Sequence, residues 1–161
     1  MKELILVRHG ENVIDDNISN DLLNLSENGI VQAKNVSKIL NNKFDIVISS
    51  SSKRVIETAK IISKKKILVD SRLLERGWGN NHNGDETDEK AKTRFKNLFN
   101  ELENKYKDKV VLLITHGSLM RLAQDVIENK IIPRERVNNC DIIKYINKNN
   151  KYIREVLYEW K

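Results

Sequence analysis

The sequence lacks the features that mark secreted, membrane-spanning and modular proteins. It has one cysteine, Cys140, so an intrachain disulfide is excluded. No apolar run approaches the roughly 20 residues of a membrane span, and none follows a basic start as in a signal peptide. A single proline, Pro133, and the absence of repeats or linkers leave the chain undivided. We therefore expect one domain over residues 1–161, in the cytoplasm.

The overall composition is that of a globular protein with a basic surface. The 161 residues are 39% hydrophobic and 32% charged, and a chain of this length can bury roughly 70% of its unfolded surface. The formal net charge of +6 favours anionic partners. Charge alone does not separate nucleic acid, anionic lipid and phosphorylated metabolites.

Four short apolar runs, each followed by turn residues, predict strands that are buried on both faces of a parallel sheet. The runs lie at residues 4–7, 45–49, 66–69 and 110–115. Later in the chain, residues 141–146 and 152–160 flank an asparagine-rich stretch at 147–150. This pattern predicts a terminal β-hairpin at a sheet edge.

Between and after the apolar runs, apolar residues recur at helical spacing. We interpret these stripes as core-facing sides of helices rather than cofactor sites, and Ser26 as the N-cap of the first. The alternation of strands and helices predicts a three-layer α/β/α fold with a largely parallel central sheet. The stripes are Gly29, Ala33, Val36 and Leu40; Val55, Ala59 and Ile62; Phe95, Leu98, Phe99, Leu102 and Tyr106; and Leu119, Leu122, Ala123, Val126 and Ile127.

Charged and polar residues follow three of the four predicted strands. Arg8 and His9 follow the first run, Arg54 follows the seryl stretch after the second, and His116 follows the fourth. Ligands bind open parallel sheets at the carboxyl ends of strands, so these residues are expected to face one crevice. Two histidines at equivalent strand ends, each followed by glycine, indicate a functional site. In isolation, Arg54 could be an exposed charge in the first turn of a helix, and Glu75 a solvated loop carboxylate.

Five blocks in chain order resemble the histidine phosphatase superfamily, which includes the cofactor-dependent phosphoglycerate mutases. They are LVRHGEN at 6–12, LSENGIVQA at 25–33, SSSSKRVIETA at 49–59, LLERGWG at 73–79 and VLLITHGSLMR at 111–121. The resemblance implies that His9 is the nucleophile that takes a phosphoryl group and that Glu75 is the proton donor. It also implies that Arg8, Arg54 and His116 bind the phosphoryl group, with His116 part of the catalytic set.

The chemistry of these residues fits those implied roles. Two guanidinium groups match the oxygens of a transferring phosphoryl group, and nearby arginines lower the pKa of His9 so that it can attack as a neutral imidazole. A hydrogen bond to a backbone carbonyl near Gly10 would fix the tautomer. Glu11, two residues from His9, is the alternative proton donor. The seryl run at 49–52 is expected to shape the strand exit rather than supply a nucleophile.

No metal or other cofactor is expected, because His82, the third histidine, has no companions at ligand spacing. Only residues 76–87 separate Glu75 from a helix predicted to begin near Asp88, and this is too short for an insertion that encloses a reaction intermediate. We therefore expect a metal-independent phosphomonoester hydrolase, which acts through the phosphohistidine that the resemblance implies. Trp78 could form a wall of its pocket or pack at the edge of the core.

Two alternatives stay open. Glu75 followed by Arg76 is similar to the mutase version of that block and favours phosphoglycerate mutase-type phosphoryl transfer. A basic run at residues 64–66 would suit a non-enzymatic phosphate-binding module. The expected partner is a small phosphorylated metabolite, with no nucleic acid or membrane. Its identity is open, because Asn12 and Ser51 depart from the family pattern, and so is the oligomeric state.

Overall fold

The computed structural model describes residues 1–77, 84–133 and 135–158. Six strands form one sheet in the order β3-β2-β4-β1-β5-β6, and helices flank it. The strands are β1 (Glu3–Arg8), β2 (Ile46–Ser49), β3 (Ile67–Val69), β4 (Val110–Thr115), β5 (Ile142–Lys148) and β6 (Lys151–Tyr158). The helices are α1 (Glu27–Leu40), α2 (Lys53–Ile62), α3 (Asp88–Lys105) and α4 (Gly117–Glu128). All four predicted strands and the terminal hairpin are present, with ends within one or two residues of the prediction where they fall on described residues. The predicted end of the second hairpin strand, residues 159 and 160, lies outside the described residues.

The register of the sheet aligns the strand ends that carry the candidate residues. β1 and β4 run parallel with Arg8 opposite Thr115, so His9 and His116 leave neighbouring strands at the same level. β2 runs parallel to β4 on its other side, with Ser49 opposite Ile114. Three parallel strands therefore end side by side at one edge of the sheet. The antiparallel strands β5 and β6 complete the sheet beyond β1.

Apolar side chains on β1 alternate between two separate clusters, as strand geometry requires. Leu4 and Leu6 pack in the larger cluster with α3 and α4, whereas Ile5 and Val7 pack with α1 and α2 on the opposite face. The predicted three-layer α/β/α fold is confirmed, with a sheet that is mostly parallel. The prediction of burial on both faces is wrong for β3, which lies at the sheet edge and leaves Val69 exposed.

Local sequence signals explain how α1 and the hairpin are bounded. The Ser26 hydroxyl accepts a hydrogen bond from the Gly29 amide at 3.0 Å, which confirms the predicted N-cap. Asn149 and Asn150 both have positive φ, at 53° and 64°, as a tight two-residue hairpin turn requires. Among the helices of the described residues, none combines the length and apolar character needed to cross a bilayer.

Candidate active site

The His9 ring is buried directly after β1 and is held in one tautomer. Its Nδ1 lies 2.7 Å from the Gly10 carbonyl oxygen. A carbonyl oxygen only accepts hydrogen bonds, so Nδ1 carries the proton and Nε2 is the unprotonated nitrogen with the lone pair. Arg54 Nε donates to that Nε2 at 3.2 Å. The predicted contact to the backbone near Gly10 is confirmed.

The surroundings of His9 keep its imidazole neutral. Burial lowers the pKa of His9 to about 3, and the positive charges of Arg54 and Arg8 act in the same direction. The hydrogen bond to the Gly10 carbonyl acts against them. At neutral pH, Nε2 is therefore an unprotonated nitrogen beside a guanidinium, as an attacking nucleophile must be.

His116 lies beside His9, fully buried at the end of β4. The two ring centroids are 5.1 Å apart and the rings meet edge to face. Nδ1 of His116 lies 3.3 Å from Arg54 Nη2, and Nε2 lies 3.0 Å from the Ser50 hydroxyl. Since a guanidinium only donates, Nδ1 accepts and the Nε2 proton points to Ser50. Burial and the nearby charges hold the pKa of His116 well below its ordinary value.

Arg54 joins the two histidines. It lies in the first turn of α2 and is only 3% exposed, so the interpretation as an exposed helix charge is wrong. Its Nη1 donates to the Asn20 carbonyl at 2.5 Å. Arg8 approaches from β1 and donates through Nη1 to the Val137 carbonyl at 2.6 Å. Its buried Nε has no hydrogen-bond partner in the described part of the chain.

The Glu75 carboxylate stands at the rim of this cluster. Oε1 accepts hydrogen bonds from the Ser118 hydroxyl and from the Ser118 amide, the latter at 3.2 Å. Oε2 lies 3.8 Å from His116 Nδ1. Ser118 is in the first turn of α4, where the helix dipole favours a carboxylate. Glu75 is thus fixed to the helix that begins directly after His116.

Glu11, the alternative proton donor, is bound elsewhere. Its carboxylate is exposed and accepts hydrogen bonds from the Ser26 hydroxyl at 2.7 Å and the Asn28 amide at 3.1 Å. These hydrogen bonds lower the pKa of Glu11, which makes its protonated form scarcer. The geometry favours Glu75 for proton donation and gives Glu11 a place at the start of α1.

A buried ion pair supports the segment that carries Glu75. Arg94 Nε and Nη2 contact the two carboxylate oxygens of Glu86 at 2.6 and 2.8 Å. The same guanidinium donates to the carbonyls of Arg72 at 2.6 Å and Glu75 at 3.0 Å. Glu86 in turn accepts from the Gly77 amide at 3.1 Å. The pair therefore holds both sides of Glu75.

Two glycines allow the turn after His9 to rest on α1. A Cβ on Gly29 would lie 2.0 Å from the Glu11 carbonyl oxygen, and one on Gly10 would lie 2.6 Å from the Gly29 carbonyl oxygen. The Gly10 amide also donates to the Thr58 hydroxyl on α2, at 3.1 Å. The blocks LVRHGEN and LSENGIVQA thus meet backbone to backbone.

The structure brings all five predicted site residues together at the carboxyl ends of the parallel strands. It also adds several contacting residues that the sequence did not single out. Ser118 directly follows the His116-Gly117 pair, so its position was available as a signal. Asn20 and Val137 contribute only carbonyl oxygens, for which a side-chain pattern gives no signal. Trp78 and His82 lie outside the described residues.

Solved structures with a similar fold cover almost the whole chain. YhfR of Bacillus stearothermophilus has a TM-score of 0.80 at 17% identity, covering 96% of this chain and 95% of its own. A phosphoserine phosphatase mutant of Entamoeba histolytica, in complex with phosphoserine, has a TM-score of 0.78 at 18% identity, covering 96% and 95%. A mycobacterial glucosyl-3-phosphoglycerate phosphatase has a TM-score of 0.76 at 19% identity, covering 97% and 98%.

A search of curated protein sequences gives no match. Residues 4–93, more than half of the chain, match the family model of the histidine phosphatase superfamily, branch 1. This segment contains Arg8, His9, Arg54 and Glu75, four of the five residues gathered at the strand ends, and His116 lies after it. The chain belongs to the histidine phosphatase superfamily.

Proposed function

We propose that the protein is a metal-independent phosphomonoester hydrolase that acts through a phosphohistidine on His9. The observation that carries this proposal is the unprotonated Nε2 of His9, buried within 3.2 Å of Arg54 and next to His116. Catalysis of phosphoryl transfer consists mainly of positioning and of stabilising charge on the phosphoryl oxygens. Arg8 and Arg54 supply fixed positive charge at the right place for that.

The reaction has two displacements. Nε2 of His9 attacks phosphorus while the ester P–O bond breaks, and the Glu75 carboxyl gives its proton to the departing alkoxide. Water then attacks the phosphohistidine, the Glu75 carboxylate takes a proton from that water, and the P–N bond breaks to release phosphate. The distance of 3.8 Å between the Glu75 carboxylate and His116 Nδ1 supports this role for Glu75.

Hydrolysis is favoured over mutase chemistry by the length of one connection. α3 begins at Asp88, so only residues 76–87 connect it to Glu75. A mutase must exclude water while its intermediate reorients, which requires an enclosing element. The phosphatases with similar folds include complexes with phosphoserine and 3-phosphoglyceric acid, which supports a small phosphorylated metabolite as substrate.

A test begins with hydrolysis of an aryl phosphate in the presence of a chelator. We expect turnover by the wild type and a loss of at least about a thousandfold in His9→Ala, because the covalent route is removed. Wild-type enzyme quenched in alkaline denaturant should carry phosphate that is stable in base and labile in acid. Ser51→Ala, on the exposed side of the seryl run, is a matched control that should keep its activity. Activity of His9→Ala near that of the wild type would refute the proposal.

The role of Glu75 has its own test. Glu75→Gln should lower kcat/KM for phenyl phosphate, whose leaving group needs a proton, about 10²-fold or more, and lower kcat/KM for dinitrophenyl phosphate far less. The comparison uses kcat/KM because it reports the first displacement and not the later attack of water, in which Glu75 acts as the base. The Glu11→Gln variant should treat the two esters as the wild type does. Equal slowing of both esters by Glu75→Gln would remove Glu75 from the role of acid.

A panel of phosphorylated metabolites then separates hydrolysis from isomerisation. Phosphate release is measured for each compound, and conversion between phosphoglycerate isomers is followed in the same samples. The proposed function requires that phosphate release exceed isomerisation for every compound turned over. Dominant isomerisation would support the mutase alternative.

A further inference from the structure

The outer strand of the hairpin has a free edge in the part of the chain that the structure describes. β6 is eight residues long, and β5 is its neighbour on one side alone. In a two-residue hairpin that pairs Lys148 with Lys151, residues 151, 153 and 155 bond to β5. The backbone N–H and C=O groups of residues 152 and 154 therefore point to the free edge, available to a further strand.

One face of β6 carries two charged side chains that form no ion pair within the described part of one chain. Lys151, Ile153 and Glu155 alternate onto the same face. Neither Lys151 nor Glu155 has an ion-pair partner among the described residues, and Ile153 is 40% exposed. Four residues along a strand span roughly 13 Å, so Lys151 and Glu155 of one chain cannot reach each other. Lys151 also lies opposite Lys148, an unfavourable pairing of like charges.

We propose that β6 pairs antiparallel with β6 of a second copy, about a two-fold axis that passes through Ile153. In this register each Lys151 lies opposite Glu155 of the other copy, and the two Ile153 side chains meet at the axis. Residue 152 of one copy exchanges backbone hydrogen bonds with residue 154 of the other, which are the groups that the hairpin leaves free. The two sheets become one sheet of twelve strands.

Charge complementarity selects this register over its neighbours. Two copies related by a two-fold axis perpendicular to the sheet have the same face of each sheet on the same side. Each alternative register therefore corresponds to a different position of the axis along β6. An axis at Glu155 would place two carboxylates opposite each other. An axis at Arg154 would place Glu155 opposite Ile153 and Lys151 opposite Leu157, so neither charge would gain a partner. Only the axis at Ile153 turns both unpaired charges into ion pairs.

The neighbouring element leaves room for this contact. Residues 150–154, at the start of β6, and residues 127–130, at the end of α4, line an open groove of about 540 Å³. A strand-to-strand contact buries less surface than a stable dimer interface usually does. The dimer should therefore dissociate on dilution.

The test is the molar mass of the full chain across a concentration series, by analytical ultracentrifugation. The wild type should pass from monomer to dimer. Lys151→Glu and Glu155→Lys each place like charges opposite each other twice per dimer, so each should raise the dimer dissociation constant about tenfold or more. An equimolar mixture of the two variants should restore the dimer, because opposite charges then face each other at every position.

The matched control is Lys60→Glu, which makes the same change of charge at an exposed site on α2 and should leave the dissociation constant unchanged. Lys151→Glu also removes the like-charge contact with Lys148, so a lost dimer would not reflect a weakened hairpin. Glu155→Lys places a second lysine opposite Lys144 in the hairpin. The double variant K151E/E155K carries the same change and should dimerise like the wild type, so a dimer lost in Glu155→Lys alone reflects the contact between copies. A monomer at every concentration, or a dimer indifferent to both single reversals, would overturn the proposal.

Discussion

At the scale of single residues, the site depends on two imidazoles that stay neutral around one guanidinium. His9 accepts from Arg54 through Nε2, and His116 accepts from the same guanidinium through Nδ1. Each ring has its other nitrogen fixed by an acceptor, the Gly10 carbonyl or the Ser50 hydroxyl. Burial lowers the pKa of both rings, and the Arg54 guanidinium lowers both pKa values in the same direction.

This arrangement makes stability depend on pH in a defined direction. The pKa of His9 falls from an ordinary value of about 6.5 to about 3 on folding, so between those values the unfolded chain binds a proton that the folded chain does not. The contribution of neutral His9 to the free energy of unfolding is fully present above pH 6.5 and is lost as the pH falls toward 3. Between pH 7 and pH 5, His9 should account for a loss of about 2 kcal/mol.

Urea denaturation of the wild type and His9→Asn at both pH values checks this expectation. Asparagine does not titrate, so the variant should lose less stability on acidification than the wild type does. His116 contributes in the same direction in both proteins, which leaves a residual slope. An identical loss in wild type and variant would show that His9 is not held neutral by the fold.

At the scale of elements, the turn after β1 is placed by its contact with α1. Gly29→Ala should gain about 1 kcal/mol of helix propensity, yet its Cβ would lie 2.0 Å from the Glu11 carbonyl oxygen. Because backbone must move to relieve that contact, we expect a net loss of roughly 1–3 kcal/mol. Activity should fall by more than the loss of stability explains, because His9 lies in the turn that must move.

Thermal unfolding and turnover, measured with Lys34→Ala as the control on the exposed side of α1, distinguish these effects. The control should keep its activity and lose no stability. If Gly29→Ala were as stable and active as the control, the close approach of the turn to α1 would not constrain the site.

The buried Arg94 and Glu86 pair belongs to the same scale, because it connects α3 to the segment around Glu75. Arg94→Met leaves the Glu86 carboxylate buried without the positive charge of Arg94 and should cost about 3–5 kcal/mol of stability. The double variant R94M/E86L removes both charges and should recover most of that loss.

The double variant also lacks the hydrogen bond from Arg94 to the Glu75 carbonyl. We therefore expect slow hydrolysis of phenyl phosphate to persist after stability has returned, with dinitrophenyl phosphate less affected. Denaturation midpoints and the ratio of the two rates are the measurements. A fully recovered ratio would mean that the pair serves stability alone.

At the scale of the whole molecule, periodicity predicted the layers and chain order predicted the convergence of the strand ends. The run at 110–115 coincides with β4, and the asparagine-rich turn gave the edge hairpin, because both signals are local. Arg94 was not predicted as a buried residue, because a charged residue beside the stripe of Phe95 and Leu98 is usually solvated. Only the fold shows that Arg94 forms an ion pair with Glu86. Contacts made by backbone carbonyls, such as that of Asn20 with Arg54, have no side-chain pattern to reveal them.

The gathering of positive charge at one edge of the sheet predicts how the whole molecule responds to an anion. Inorganic phosphate should bind between the strand ends and stabilise the folded state by about 2.7 kcal/mol at a hundredfold excess over its dissociation constant. For a chain of this size, that corresponds to a rise of roughly 5–10 °C in the unfolding midpoint.

Arg54→Met should reduce the shift, because it removes the guanidinium shared by both histidines. Arg72→Met, which removes a guanidinium bound to Asp70 and Glu101 outside the pocket, should keep it. Equal shifts in the wild type and Arg54→Met, at matched ionic strength, would place the bound phosphate elsewhere on the basic surface.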